Sequence, residues 1–169
     1  MDIDTIANEF TVLIEENQGI IFKVSAMYCN DVTCRKDLVQ EILLQLWRSF
    51  PAYDKTKKYT TWMYRIALNT AISQWRKDVT KKEISTDELP VTVCDDDQVS
   101  EKSERVRILN IAINKLNKAE KSIIILYMDD YPYDEISEIT GISVSNVGVK
   151  INRIKKKLQN HLKELGYGL

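Results

Sequence analysis

The sequence predicts an all-α fold, two small helical domains joined by a flexible linker, and three observations carry that prediction. Apolar residues recur at steps of three and four along both ends of the chain, the period of a helix with one buried face. Five glycines and three prolines in 169 residues are too few for the tight turns of an all-β fold. From Asp78 to Ser103 the helical spacing disappears, and acidic and β-branched residues take over around one proline, a composition that buries little. The expected division is residues 1–78, a linker over 79–103, and residues 104–169.

In the first domain, Ile6, Phe10, Leu13, Ile14, Ile21, Val24 and Met27 define a helix over residues 4–29, with Gly19 as a candidate break. Asp31 or Thr33 can cap a second helix that carries Leu38, Ile42, Leu46 and Phe50 on one stripe and stops at Pro51. The segment PAYDKTKK is a loop. A third helix covers residues 60–77, with Trp62, Ile66, Asn69 and Ser73 on one face and Met63, Ala67, Thr70 and Ala71 on another. Beyond the linker, Val106, Leu109, Ile113 and Leu116 predict a fourth helix, and residues 118–128 a fifth with Ile123, Ile124, Leu126 and Tyr127 inside. Pro132 can start a short helix bearing Ile136 and Ile139, and Gly141 ends it. Ser143 caps the last helix, whose stripe Val144, Val147, Ile151, Ile154, Leu158, Leu162, Leu165 advances by threes and fours.

Composition excludes several classes of function. No run approaches the roughly 18 apolar residues of a membrane span, and the N-terminus has no basic-then-apolar leader, so a cytoplasmic protein without membrane insertion is expected. One histidine, no Gly-rich phosphate loop and no metal-ligand spacing argue against an enzyme, a metal site or a cofactor. Cys29, Cys34 and Cys94 match no zinc-type pairing and read as reduced thiols in a reducing compartment, with a redox or metal role for Cys29 and Cys34 as the alternative. The formal net charge of −1 conceals segregation: residues 1–50 sum to −4, 53–82 to +6, 84–104 to −6 and 105–169 to +4. Two basic blocks separated by an acidic one fit a polyanion touched at two places.

A short helix, a Gly-containing turn and a longer helix make a helix-turn-helix pattern over the second basic block. Residues 142–157, ISVSNVGVKINRIKKK, hold five cations and no acid. With the apolar stripe turned inward, Ser145, Val149, Asn152 and Lys156 lie opposite it, and Asn146, Lys150, Arg153 and Lys157 lie on the adjoining flank. Short polar groups can read base edges in a major groove while cations neutralise phosphates. A merely solvated Lys-rich face would carry interspersed acids. Gly148 costs about 1 kcal/mol of helix propensity relative to Ala, and close helix packing or close approach to DNA would each account for it. In the first basic block, Tyr59, Trp62, Tyr64 and Trp75 alternate with Lys58, Arg65, Arg76 and Lys77, a pattern that can grip single strands by stacking. Core packing is the competing reading there, and it is expected for Trp62 and Trp75.

DLVQEILLQLW (Asp37–Trp47), TTWMYRIALNTAISQWRK (Thr60–Lys77) and YPYDEISEITGISVSNVGVKINRIKKKL (Tyr131–Leu158), in that order, resemble the extracytoplasmic-function group of bacterial sigma factors in the sigma-70 family. The resemblance covers roughly residues 8–78 and 104–165. It implies a transcription initiation factor that binds core RNA polymerase, reads a duplex −35 element and melts a −10 element, under the control of a probable anti-sigma factor. It assigns Asp37, Gln40, Glu41 and Gln45 to polymerase docking. Lys55, Lys58, Tyr59, Thr60, Arg65, Asn69, Arg76 and Lys77 fall to the −10 strand, where Asn69 either captures a flipped base or is a hydrogen-bonded structural residue. Ser145, Asn146, Val149, Lys150, Asn152, Arg153, Lys156 and Lys157 fall to the −35 element, with Val149, Asn152 and Arg153 facing bases and Lys150 and Lys156 on phosphates. Two departures stand out: Gly148 occupies a position that is often a polar or basic contact, and Pro132 replaces a capping hydroxyl residue. With nothing after Leu169, regulation is expected to come from a separate protein.

Overall fold

The computed structural model describes residues 3–82 and 101–167, which form seven α-helices and one 3-10 turn. The chain divides into two compact units, Met1–Thr92 and Val93–Leu169. In the first, α1 (Ile3–Tyr28), α2 (Val32–Ser49) and α3 (Tyr59–Lys82) pack pairwise into a three-helix bundle. Leu38, Ile42, Leu46 and Phe50 are all buried, as their spacing requires, together with Ile21, Val24 and Met27 of α1 and Met63, Tyr64, Ala67 and Ala71 of α3. Each such aliphatic chain contributes roughly 1.5–3 kcal/mol by leaving water. Asp31 caps α2 by accepting from the Cys34 N–H at 2.8 Å, and Pro51 sits at the start of the 3-10 turn Phe50–Ala52 that ends it. Gly19 does not break α1, which is continuous because one solvated glycine weakens a helix without interrupting its ladder.

In the second unit α4 (Glu101–Asn114), α5 (Lys118–Met128) and α6 (Tyr133–Thr140) all pack on α7 (Val144–Glu164). Val147, Ile151, Ile154 and Leu158 are buried. Val144, expected on the same stripe, is 48% exposed because it lies in the first turn, before the helix reaches the hydrophobic core. Of the stripe expected for α4, Ile113 is buried, as is Leu116 in the turn that follows the helix, but Leu109 is half-buried and Val106 points outward, and Ile108 and Ala112 complete the buried face instead. Gly141, at φ 74°, closes α6 in the left-handed conformation, and Ser137 Oγ donates to the Ile142 carbonyl to lock the turn. Ser143 caps α7 by accepting from the Asn146 N–H.

Helix α3 runs to Lys82 and α4 starts at Glu101, so both helices extend past the expected domain limits, 78 and 104. The flexible linker expected from composition, and Cys94 within it, fall largely on residues 83–100, outside those described. The reading of Cys29 and Cys34 as free thiols needs correction. They form a disulfide with the Cα atoms 5.6 Å apart, bridging the end of α1 to the first turn of α2. A separation of five residues across a tight interhelical turn brings the two Cβ atoms within reach, a geometry that zinc-type spacing rules do not test.

Candidate nucleic-acid interface

The outer face of α7 follows from its inner one. Once Val147, Ile151, Ile154 and Leu158 face the core, Ser145, Asn146, Val149, Lys150, Asn152, Arg153 and Lys156 are exposed along the opposite side. Val149 is 47% exposed, which water penalises and a base methyl or sugar would cover. The run of three lysines does not act as one block. Lys155 Nζ donates to Tyr127 Oη at 2.7 Å and lies 4.2 Å from that ring's centroid, and Lys157 pairs with Glu120. Lys157, assigned above to DNA, is thus held by its own domain, whereas Lys150, Arg153 and Lys156 form no ion pair among the described residues. Glu120 serves twice: one oxygen accepts from Lys157 and the other from the Asn117 N–H in a capping box that starts α5.

The first unit presents a different surface. On α3, Arg65, Asn69, Ser73 and Arg76 follow steps of 4, 4 and 3 and form one exposed stripe, with Lys77 exposed beside it. Asn69 is on the solvent side and not among the buried, bonded residues. Thr60 is half-buried and Lys58 exposed at the start of the helix. Lys55 in the preceding loop is paired with Glu9 of α1 at 2.7 Å. That loop is internally braced. Asp54 accepts from the Thr56 hydroxyl at 2.7 Å and its N–H at 3.0 Å, bonds that hold its carboxyl below the usual range, and Tyr53 donates to the Lys57 carbonyl.

Beneath the loop lies an aromatic cluster that sequence reasoning found only in part. Tyr53 has the Trp62 ring at 4.9 Å and the Tyr59 ring at 5.4 Å, Tyr59 and Trp62 are 5.1 Å apart, and Phe50 joins them to Phe10 and Trp47. Burial pushes the Tyr59 phenol well above its ordinary value, with Tyr53 adding to the effect, and its hydroxyl is buried without a hydrogen-bond partner among the described residues. Trp62 belongs to this cluster as expected, but Trp75, expected in the core, is 39% exposed. Tyr64 is buried, so it is core and no stacking platform. Tyr53 was missed because it sits in the loop after the 3-10 turn, where no periodicity flags it, whereas Phe50 was expected on the buried stripe of α2 but not as part of an aromatic cluster.

On α2, Asp37 and Gln40 are exposed, Glu41 and Gln45 half-buried, and Gln45 Nε2 donates to Glu41 Oε1 at 2.8 Å. Leu44, 40% exposed, stands on the same face, four residues after Gln40, and gives the polar surface an apolar centre that the sequence reading did not single out.

Two family models match these two units: "Sigma-70 region 2" over residues 13–80 and "Sigma-70, region 4" over residues 107–158. The RNA polymerase sigma factor YlaC of Bacillus subtilis is 30% identical over 132 residues, 75% of this chain and 76% of that one. The chain is an extracytoplasmic-function sigma factor of the sigma-70 family. The ECF RNA polymerase sigma factor SigW of the same organism is 25% identical over 168 residues, covering 92% of this chain and 90% of its relative. Among solved structures, the sigma factor RpoE in complex with the anti-sigma factor NepR from Bartonella quintana superposes with a TM-score of 0.72 at 17% identity, over 95% of this chain and 98% of that one. CnrH in complex with the cytosolic domain of CnrY gives 0.66 at 18% identity, over 94% and 90% of the two chains. Those likenesses bear out the all-α, two-unit fold. The sigma factor accordingly directs RNA polymerase to promoters, with α1–α3 as region 2 and α4–α7 as region 4. Among the described residues no helix is long and apolar enough to cross a membrane, and no group of three or more His, Cys, Asp or Glu could hold a metal ion.

Proposed function

We propose that the sigma factor divides promoter recognition between its units, α7 reading the −35 element as duplex and α3 with its preceding loop opening the −10 element. The exposed face of α7 supports this reading most directly: Val149, Asn152 and Arg153 project where base edges can be met, flanked by Lys150 and Lys156 for phosphates. In the first unit, Lys58, Arg65, Asn69, Arg76 and Lys77 hold the strand backbone, and the aromatic ledge of Tyr59 and Trp62 supports an unstacked base. Unstacking costs a few kcal/mol, which a preformed aromatic site offsets. Lys55 and Lys157 contribute less, since each has an intramolecular partner. Asp37, Gln40, Glu41 and Gln45, with Leu44 between them, dock on the core polymerase.

The sigma factor acts in the cytoplasm as an initiation factor and performs no catalysis of its own. One structural neighbour, RpoE, is bound to the anti-sigma factor NepR, and an anti-sigma protein is the regulator we propose for this chain as well. Run-off transcription with core polymerase, followed by mapping of start sites, tests the whole reading. Arg153→Ala lowers discrimination for the −35 element by about 1–3 kcal/mol, and unchanged promoter choice in that variant removes Arg153 from the reading face.

A further inference from the structure

Gly148 has an ordinary helical backbone, since the only glycines with positive φ among the described residues are Gly141 and Gly166. The glycine is therefore not there for its dihedral freedom. A Cβ built on it would lie 3.4 Å from Cε2 and 3.9 Å from Cδ2 of Tyr133, the first residue of α6. The phenol ring thus rests on the bare backbone of α7, one turn before Asn152. Position 148 lies on the flank of α7, between the buried stripe and the exposed face. Tyr133 is 39% exposed there, and its hydroxyl makes no hydrogen bond to a described residue. Its other neighbour is Tyr127, with ring centroids 6.4 Å apart, which in turn carries Lys155 over its face. Three helices therefore converge to hold this ring at the edge of the α7 surface.

We infer that Tyr133, seated on Gly148, is a DNA-contacting residue of the −35 unit, donating its hydroxyl to a phosphate oxygen at the border of the α7 reading face. The inference rests on the proposal that α7 meets duplex DNA. A neutral phenol can donate to phosphate without releasing a counterion of its own. A phenylalanine keeps the ring and its seat and removes only the donor. A leucine at position 148 fills the seat and pushes the ring away. An alanine only touches it, at ordinary contact distance.

The test measures binding of the holoenzyme, reconstituted from the full chain and core polymerase, to a duplex bearing the −35 region of a promoter mapped by run-off transcription. Tyr133→Phe weakens binding about tenfold, the loss of one hydrogen bond to a charged acceptor, with the same factor on point-mutated −35 sequences and with unchanged melting temperature and salt slope. Lys150→Ala, by contrast, lowers the salt slope by about one. Gly148→Leu weakens binding as Tyr133→Phe does, the double variant is no weaker than either, and Gly148→Ala binds as the parent. Parental affinity of Tyr133→Phe overturns the inference and leaves Tyr133 a packing residue. Arg153→Ala separates the two ideas: if it and Tyr133→Phe both bind as the parent, the −35 reading of α7 falls too, whereas loss with Arg153→Ala alone refutes Tyr133 only.

Discussion

Reducing the Cys29–Cys34 bridge destabilises the first unit. The bridge closes a loop with a sequence separation of five residues between α1 and α2. A cross-link around a ring of that size removes about 7 cal/mol/K of entropy from the unfolded chain, or about 2 kcal/mol at 25 °C. The turn it spans is otherwise held by polar contacts, the Asp31 cap and the bond from Arg35 Nε to the Cys29 carbonyl at 2.9 Å. These persist in the reduced protein, so the loss stays near the entropic value. In a unit of this size 1 kcal/mol corresponds to about 4–8 °C, and the melting midpoint should fall by roughly 8–16 °C. The signal is clean because all three tryptophans, Trp47, Trp62 and Trp75, lie in the first unit, so their fluorescence reports its unfolding alone. Cys34→Ser is the matched variant, since Cys34 is partly exposed and the capping bond uses only its backbone N–H. That variant should melt like the reduced parent and ignore reductant. Under denaturing conditions, maleimide should add one label to the oxidised chain, at Cys94, and three after reduction. Three labels without reductant, or a tryptophan transition that reductant leaves in place, would refute the reasoning.

Other perturbations follow from single contacts. Ile151→Ala empties a fully buried site on α7 and should cost about 2–5 kcal/mol; far-UV circular dichroism should show an early helical transition while the tryptophan transition stays where it was. Glu120→Ala removes the side-chain half of the capping box of α5 and the partner of Lys157, and should cost about 0.5–1.5 kcal/mol by urea denaturation followed at 222 nm, while leaving Lys157 free to reach phosphate and raising duplex affinity at low salt. Burial, with Lys121 nearby, lowers the Lys118 pKa from 10.5 to about 8. Between those values the unfolded chain binds more protons than the folded one, so the stability of the second unit rises with pH across that window, having carried its full penalty below about 8. Urea midpoints at pH 7.5 and 9.5 should therefore separate in the parent and separate less in Lys118→Gln, where the remaining difference comes from Lys121, whose pKa burial also lowers.

Helix existence was legible in the sequence wherever one face is buried along its whole length. Leu38, Ile42, Leu46 and Phe50 announce α2, and Val147, Ile151, Ile154 and Leu158 announce α7, because a period near 3.6 has no other physical use. Phase was harder where both faces carry apolar residues: α4 offers Val106 and Ile108 two positions apart, and only the presence of α7 decides that Ile108 is buried. The disulfide was not legible, because bridging depends on the distance between Cβ atoms across a turn. Trp75 was misplaced because the spacing of aromatic residues along α3 does not by itself tell which of them a neighbouring helix covers.

Charge shows most clearly what a sequence count leaves undetermined. The run Lys155, Lys156, Lys157 reads as three equivalent cations, and spacing alone placed Lys156 and Lys157 on or near the face opposite the core. Consecutive helical residues diverge by about 100°, so the three must point in different directions once Ile154 and Leu158 are buried. One direction meets the Tyr127 ring, a second meets the Glu120 carboxylate, and the middle one meets solvent. An ion pair as exposed as Lys157–Glu120 contributes only about 0–1 kcal/mol, so its main effect is on direction and not on stability. It fixes one cation against α5 and leaves Lys150, Arg153 and Lys156 to shape the field in front of the helix. The strength of the polyanion grip therefore depends on how many of the five cations between residues 142 and 157 are uncommitted, and salt dependence of duplex binding should follow three of them and not five.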